Sequence, residues 1–185
     1  MHFEKITREQ WMKDVLEFYG NKQPDKEELK RINDMYDGIQ LPKRATKHSA
    51  GYDFFIPANL IIPMEKFALI PTGVRWVCDK KKDKNKVLQI YPRSGLGFKT
   101  SVRLANTVGI IDADYYNADN EGHIMVKMYN PLNLHSTPTG NVQINKGEGF
   151  VQGVITQYCT CDDEEEITTE RTGGMGSTDA KAKEE

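Results

Sequence analysis

Between residues 41 and 161 the apolar residues come in brief packets, and this limits the available folds more than any other feature of the chain. Residues 52–56, 67–70, 74–77, 87–91, 124–129 and 151–158 are short apolar or alternating stretches separated by turn-forming residues. Such packets read as strands, and many short strands at close spacing predict a sandwich, a barrel or a jelly roll. Strands and helices do not alternate and no long repeat recurs, which disfavours a parallel α/β sheet. The charged run 80–86 lies between two strands and reads as a solvated hairpin tip rather than a phosphate hook.

The flanks have different character. Residues 1–40 read as a helical extension. Thr7-Arg8-Glu9-Gln10 fits a capping box, and Trp11, Val15, Leu16, Phe18 and Tyr19 recur at near-helical spacing. Gly20-Asn21 breaks that helix. Asp25 caps a second, in which Leu29, Ile32, Met35 and Tyr36 make one stripe. These helices either lie on the main body or serve a partner. Residues 41–161 form the β domain. Residues 162–185 are polar and, apart from Ile167 and Met175, lack a core anchor, so they read as a flexible C-terminal arm.

The bulk properties exclude several roles. At 185 residues the chain is one domain with additions, and its formal charge of −2 provides no field that draws in nucleic acid. No apolar run approaches the roughly 20 residues of a membrane span, and the first residues lack a signal-peptide profile. Three cysteines (Cys78, Cys159 and Cys161) fit a reducing cytoplasm better than a disulfide framework. The Cys-x-Cys pair has no nearby histidine and makes a poor zinc site.

Three motifs carry chemistry. Gly109-Ile110-Ile111-Asp112-Ala113-Asp114-Tyr115-Tyr116 runs an apolar strand into two carboxylates and two aromatic rings. Neither calcium-loop register fits around it: counted from Asp112 the sixth position is Asn117, and counted from Asn117 the sixth is Gly122 but the twelfth is Met128. Pro92-Arg93-Ser94-Gly95-Leu96-Gly97 puts a guanidinium, a hydroxyl and backbone amides at a strand end, which suits phosphate oxygens. Taken alone it is a Pro/Gly turn. The Gly-rich segment 171–178 is likewise only a linker when taken alone. His2, His48, His123 and His135 lack metal or nucleophile–base spacing, and no serine sits in a nucleophile elbow, so covalent catalysis is disfavoured.

Order and spacing together change the reading. Pro42-Lys43-Arg44-Ala45, Ser49-Ala50-Gly51-Tyr52-Asp53, the Arg93 turn, Asn106 through Tyr115, Lys146-Gly147-Glu148 through Gln152 and the terminal Arg171 segment closely resemble the trimeric dUTPases. The resemblance spans roughly residues 42–178. It implies a mainly β, jelly-roll barrel that forms a homotrimer, with each active site shared among the subunits. The implied activity is hydrolysis of dUTP to dUMP and pyrophosphate, which limits uracil in DNA and supplies dUMP for dTMP synthesis. Asp112 is implied as the base that activates water against the α-phosphorus. Tyr115 is implied to pack beneath the deoxyribose, and Asn106 with Gly109, Ile110 and Ile111 to read the uracil edge, with Met125 lining that pocket. Arg93, Ser94, Gly95 and Gln152 are implied phosphate ligands. Mg²⁺ is implied to ride on the triphosphate, with Asp53 reaching it through water. Arg171, Met175, Gly176 and Ser177 are implied parts of a lid, Arg171 meeting the γ-phosphate.

The chain departs from that pattern in places. Met175 stands where the family usually stacks an aromatic, and Gly149 stands where it usually has Arg. Residues 117–121 are an insertion before Gly122, and helices take the place of the usual N-terminal strand. The dCTP deaminases share the fold but need a glutamate near the pyrimidine C4 and typically lack the Asp-x-Asp-Tyr ending.

Overall fold

The computed structural model describes residues 1–20, 23–79, 81–131, 139–165, 168, 169, 171, 173 and 174. The chain opens with a strand, β1 (His2–Lys5), before its first helix. That strand pairs antiparallel with β5 (Val74–Val77), His2 lying opposite Val77 and Lys5 opposite Val74. The helical reading of the first residues is therefore corrected. Four residues are too few to show periodicity, and the pairing partner lies some seventy residues away.

Two helices follow as their caps predict. In α1 (Arg8–Phe18) the Thr7 side chain accepts from the Gln10 amide at 3.2 Å. In α2 (Lys26–Asp37) Asp25 accepts from the Glu28 amide at 2.8 Å. Each cap satisfies a donor that the first helical turn leaves unpaired. Trp11 and Val15 on α1 and Ile32 on α2 are buried in the same core as the strands, and the Trp11 indole donates to the Ile32 carbonyl at 3.0 Å.

The remaining strands are β2 (Tyr52–Phe55), β3 (Leu60–Ile62), β4 (Phe67–Pro71), β6 (Lys86–Pro92), β7 (Arg103–Leu104), β8 (Gly109–Asp112), β9 (Met125–Tyr129), β10 (Val142–Ile144) and β11 (Gly149–Gln157). A short helix, α3 (Ser94–Thr100), follows β6. All pairings between them are antiparallel. The main sheet has the order β2-β11-β6-β8; β4-β9-β7 forms a second, and β3-β10 joins β1-β5 as a two-stranded ribbon. One core of Phe54, Leu88, Ile90, Val126, Met128, Val151 and their neighbours ties all four together. The alternation is plain in β9, where Val126 and Met128 are buried and Lys127 is exposed. The fold is mainly β and of the jelly-roll kind.

Between β5 and β6 the charged tip is organised rather than merely solvated. Asp83 is buried, accepts from the Asp79 amide at 3.1 Å and pairs with the N-terminal ammonium of Met1 at 3.3 Å.

Candidate active site

β8 lies against β6 with Asp112 opposite Val87 and Gly109 opposite Ile90. A Cβ on Gly109 would come within 3.1 Å of the Ile90 Cβ, so the residue lets the two strands close up. Thr107 adopts a φ of 65° in the turn before β8, an unusual conformation for a β-branched residue. After Asp112 the chain winds into a single 3₁₀ turn, Tyr115–Asn117.

The hollow so formed has a volume of about 650 Å³. Its lining includes Asn106, Gly109, Ile110, Ile111, Asp112, Tyr115, Met125 and Arg171. Every nucleoside-side residue expected from the sequence thus meets here. Leu104 and Lys127 also line it and were not expected. Lys127 follows Met125 by two positions on β9, and the strand period of two was the signal that could have found it.

Electrostatics single out Asp112. Its carboxyl is held above the ordinary aspartate range, chiefly because the surrounding walls withdraw it from water, while Arg171 pulls it down and Asp114 pushes it up. Burial likewise raises the Tyr115 phenol. Tyr115 is only 5% exposed, and its hydroxyl donates to the His123 carbonyl at 3.2 Å and accepts from the Asn120 amide at 3.0 Å.

The expected phosphate group assembles elsewhere. On the main sheet Gln152 lies opposite both Asp53 on β2 and Tyr91 on β6, placing one cross-strand row on one face. Gln152 donates to the Pro92 carbonyl at 3.3 Å, and the Arg93 guanidinium pairs with Asp53 at 3.2 Å. Arg93, Ser94 and Gln152 border a shallow surface hollow, with Gly95 beside it in the first turn of α3. Gly149 makes room here: a Cβ would lie 2.6 Å from Arg93 Nη1, so the bare backbone leaves the space that Arg93 occupies. Gly51 does the same for Gln152, whose Oε1 would lie 2.5 Å from an added Cβ.

The two groups do not meet within one chain. Asp112 is level with Val87, and Arg93 lies six residues further along the extended β6 line, about 20 Å away at ~3.3 Å per residue. Arg171 sides with the nucleoside group. It bonds Asp112 through Nη2 and Asp114 through Nε at 3.0 Å, and its guanidinium lies 5.7 Å from the centre of the Tyr115 ring. In this structure the Arg171 guanidinium is engaged by the chain's own carboxylates. Met175, Gly176 and Ser177 lie outside the described residues.

Among the described residues no cluster of three or more His, Cys, Asp or Glu side chains is placed to hold a metal ion. Asp53 contributes one carboxylate, already engaged by Arg93. That donor set fits a hard cation delivered on phosphate groups and not one caged by protein. No helix among the described residues is long and apolar enough to cross a membrane.

Comparison with known proteins gives a consistent answer. The dUTPase family model matches residues 37–179. The deoxyuridine 5'-triphosphate nucleotidohydrolase of Lactococcus lactis subsp. lactis (strain IL1403) is 42% identical over 145 residues, covering 77% of this chain and 90% of the relative. The crystal structure of dUTPase from Streptococcus mutans superposes with a TM-score of 0.60 at 31% identity, covering 88% of this chain and 99% of that one. A mutant dUTPase from phage phi11 of S. aureus, described for its coordination of a structural Mg(II) ion, has a TM-score of 0.55 at 23% identity over 72% of this chain and 92% of its own. At that identity the likeness shows the fold alone.

Proposed function

This chain belongs to the dUTPase family, and from that membership we infer that it hydrolyses dUTP to dUMP and pyrophosphate. The observation that carries the reading is geometric: the Asp112 carboxylate stands at the rim of a hollow walled by Asn106, Gly109, Ile110, Ile111, Tyr115 and Met125. A base has to be ionised to act and basic enough to accept a proton, and a raised carboxyl pKa improves the second property at modest cost to the first.

In the proposed reaction Asp112 orients a water molecule and takes its proton as the water oxygen attacks the α-phosphorus. The bond from the α-phosphorus to the bridging oxygen breaks, and pyrophosphate leaves with that oxygen. Tyr115 supports the sugar from below. Its ring is buried and tethered at both sides of its hydroxyl, so a 2′-hydroxyl finds the volume already filled. The backbone from Gly109 to Ile111, with Asn106, reads the uracil edge. A close backbone wall leaves no room for the methyl group of thymine and mismatches the donor and acceptor order of cytosine.

Arg93, Ser94, Gly95 and Gln152 bind the phosphates, the guanidinium fork and the amides of the first turn of α3 matching oxygen geometry. Mg²⁺, if carried on the triphosphate, would be approached by Asp53 and would supply neutralisation of negative charge on the phosphates. Arg171 meets the γ-phosphate.

The roughly 20 Å between Asp112 and Arg93 along one strand supports sharing of the site between copies, as in a homotrimer, since one chain cannot bring both groups to one triphosphate. The three cysteines are all free, which suits the cytoplasm, where such an enzyme limits uracil in DNA and supplies dUMP for dTMP synthesis. The decisive assay is pyrophosphate release from dUTP, dTTP, dCTP and UTP by the wild type and by Asp112→Asn. Hydrolysis of dUTP alone, dependent on Mg²⁺ and largely lost in the variant, is expected. An unimpaired variant, or ammonia release from dCTP, overturns the assignment.

A further inference from the structure

A polar contact buried beneath Tyr115 links the catalytic turn to the N-terminal helix. His123 is fully buried and Asp14, on α1, is 6% exposed. His123 Nδ1 lies 2.6 Å from Asp14 Oδ2, across 109 positions of sequence. On the other side of the ring Nε2 accepts from the Gly73 amide at 2.8 Å. An amide can only donate, so Nε2 holds the lone pair and Nδ1 carries the proton that Asp14 accepts. The imidazole is therefore fixed at both nitrogens. Asp14 is fixed in turn, because Gln10 Nε2 donates to its second oxygen at 2.7 Å.

This arrangement ends at the sugar pocket. The backbone carbonyl of His123 accepts the Tyr115 hydroxyl, and Asn120 donates to the same hydroxyl. The insertion 117–121 is held from α1 as well. Glu121 accepts from the Thr7 amide at 2.8 Å and from the Thr7 hydroxyl at 2.6 Å, seating a carboxylate at the positive end of the helix. Helix, insertion and catalytic turn thus form one body. Burying a carboxylate and an imidazole is costly compared with apolar packing, so the pair earns its place through the geometry it imposes.

We infer that Asp14 and His123 are positioning residues for nucleotide selection: they set the height of the Tyr115 ring by fixing the carbonyl to which its hydroxyl bonds. On this view α1 braces the site from behind its lining and is not a separable partner-binding module. The inference rests on the reading of Tyr115 as the floor of the sugar pocket.

The test is a double-mutant cycle on the full chain, read as the ratio of kcat/KM for dUTP to that for UTP. Asp14→Ala is expected to lower this ratio on the order of tenfold, within the usual span of coupling between contacting groups. Asp14→Asn, which keeps the volume and one acceptor, is expected to lower it by a smaller factor and serves if the alanine variant does not fold. In a Tyr115→Phe background, where no hydroxyl remains to be held, neither change at Asp14 moves the ratio further. Folded Asp14 variants with the wild-type ratio, or an Asp14 effect that persists in full beside Tyr115→Phe, overturn the inference. Wild-type protein inactive on dUTP sinks the functional reading itself, a different outcome from active protein whose selectivity ignores Asp14.

Discussion

The two halves of the proposed site are built on opposite plans. The nucleoside half is a hollow whose walls are core: Tyr115 is buried, and β8 is pressed against β6 through Gly109. The phosphate half is an open row on a sheet face, where Arg93, half exposed, reaches across a missing side chain to Asp53. Selecting a base and sugar requires rigid shape, which only packed elements hold. Gripping a charged, mobile triphosphate requires donors that can follow it, and these are cheaper to keep at a surface. In the proposed homotrimer a second copy of the chain brings the rigid half and the adaptable half together.

The sharpest way to break that division is to remove one group from each side. Asp112→Asn keeps the shape of the hollow and removes the base, so kcat is expected to fall by ~10²–10⁴-fold with KM little changed. Arg93→Ala removes charge-assisted hydrogen bonds on the other half, and kcat/KM should drop on the order of 10- to 100-fold. The two impaired proteins, unfolded together and refolded, are expected to exceed the mean of their separate rates of pyrophosphate release from dUTP, because some sites then take Asp112 from one parent and Arg93 from the other. A mixture no more active than that mean places both groups in one chain's site.

Two glycines sharpen the same contrast at smaller amplitude. Gly122, at a φ of 72°, would set a Cβ 2.5 Å from the Tyr116 Cα, a backbone atom that cannot step aside. Gly122→Ala is therefore expected to destabilise the fold by about 1–3 kcal/mol, seen as a lowered Tm. Gly149→Ala would meet the end of a flexible Arg93 side chain instead. Its Tm should stay near wild type while KM for dUTP rises a few-fold as Arg93 is displaced. Reversal of the two signatures removes the distinction between a packed half and a surface half.

Much of this was legible in the sequence, and what escaped did so for physical reasons. The strands 74–77 and 87–91 and both helix caps follow from local pattern, and the motif from Gly109 to Tyr115 carries its own strand-to-turn signal. β1, β3 and β10, three or four residues each, have too little length for periodicity and exist only because a distant partner pairs with them. His123 gave no signal because its partner, Asp14, sits on another element far along the chain. The consequence of Gly149 was equally hidden, since the space it leaves matters only once β11 and the turn at Arg93 are side by side.

The finest distinction concerns Arg171, which belongs to the nucleoside half in this chain and to the phosphates in the proposed complex. In the proposed reaction Asp112 acts only when ionised, so activity is expected to fall as pH drops through its pKa, which burial holds above the ~3.9 of a free aspartate. Arg171 opposes that rise, because a cation beside the carboxylate favours its charged form. In Arg171→Gln the Asp112 pKa therefore climbs further, and the acid limb of kcat/KM, which reports the free enzyme, should move to higher pH. The limb of kcat reports the enzyme–substrate complex, where Arg171 has left for the γ-phosphate, and it should move less. Limbs that move together keep Arg171 on Asp112 throughout turnover, and limbs that both stay fixed take Arg171 away from Asp112 before substrate ever arrives.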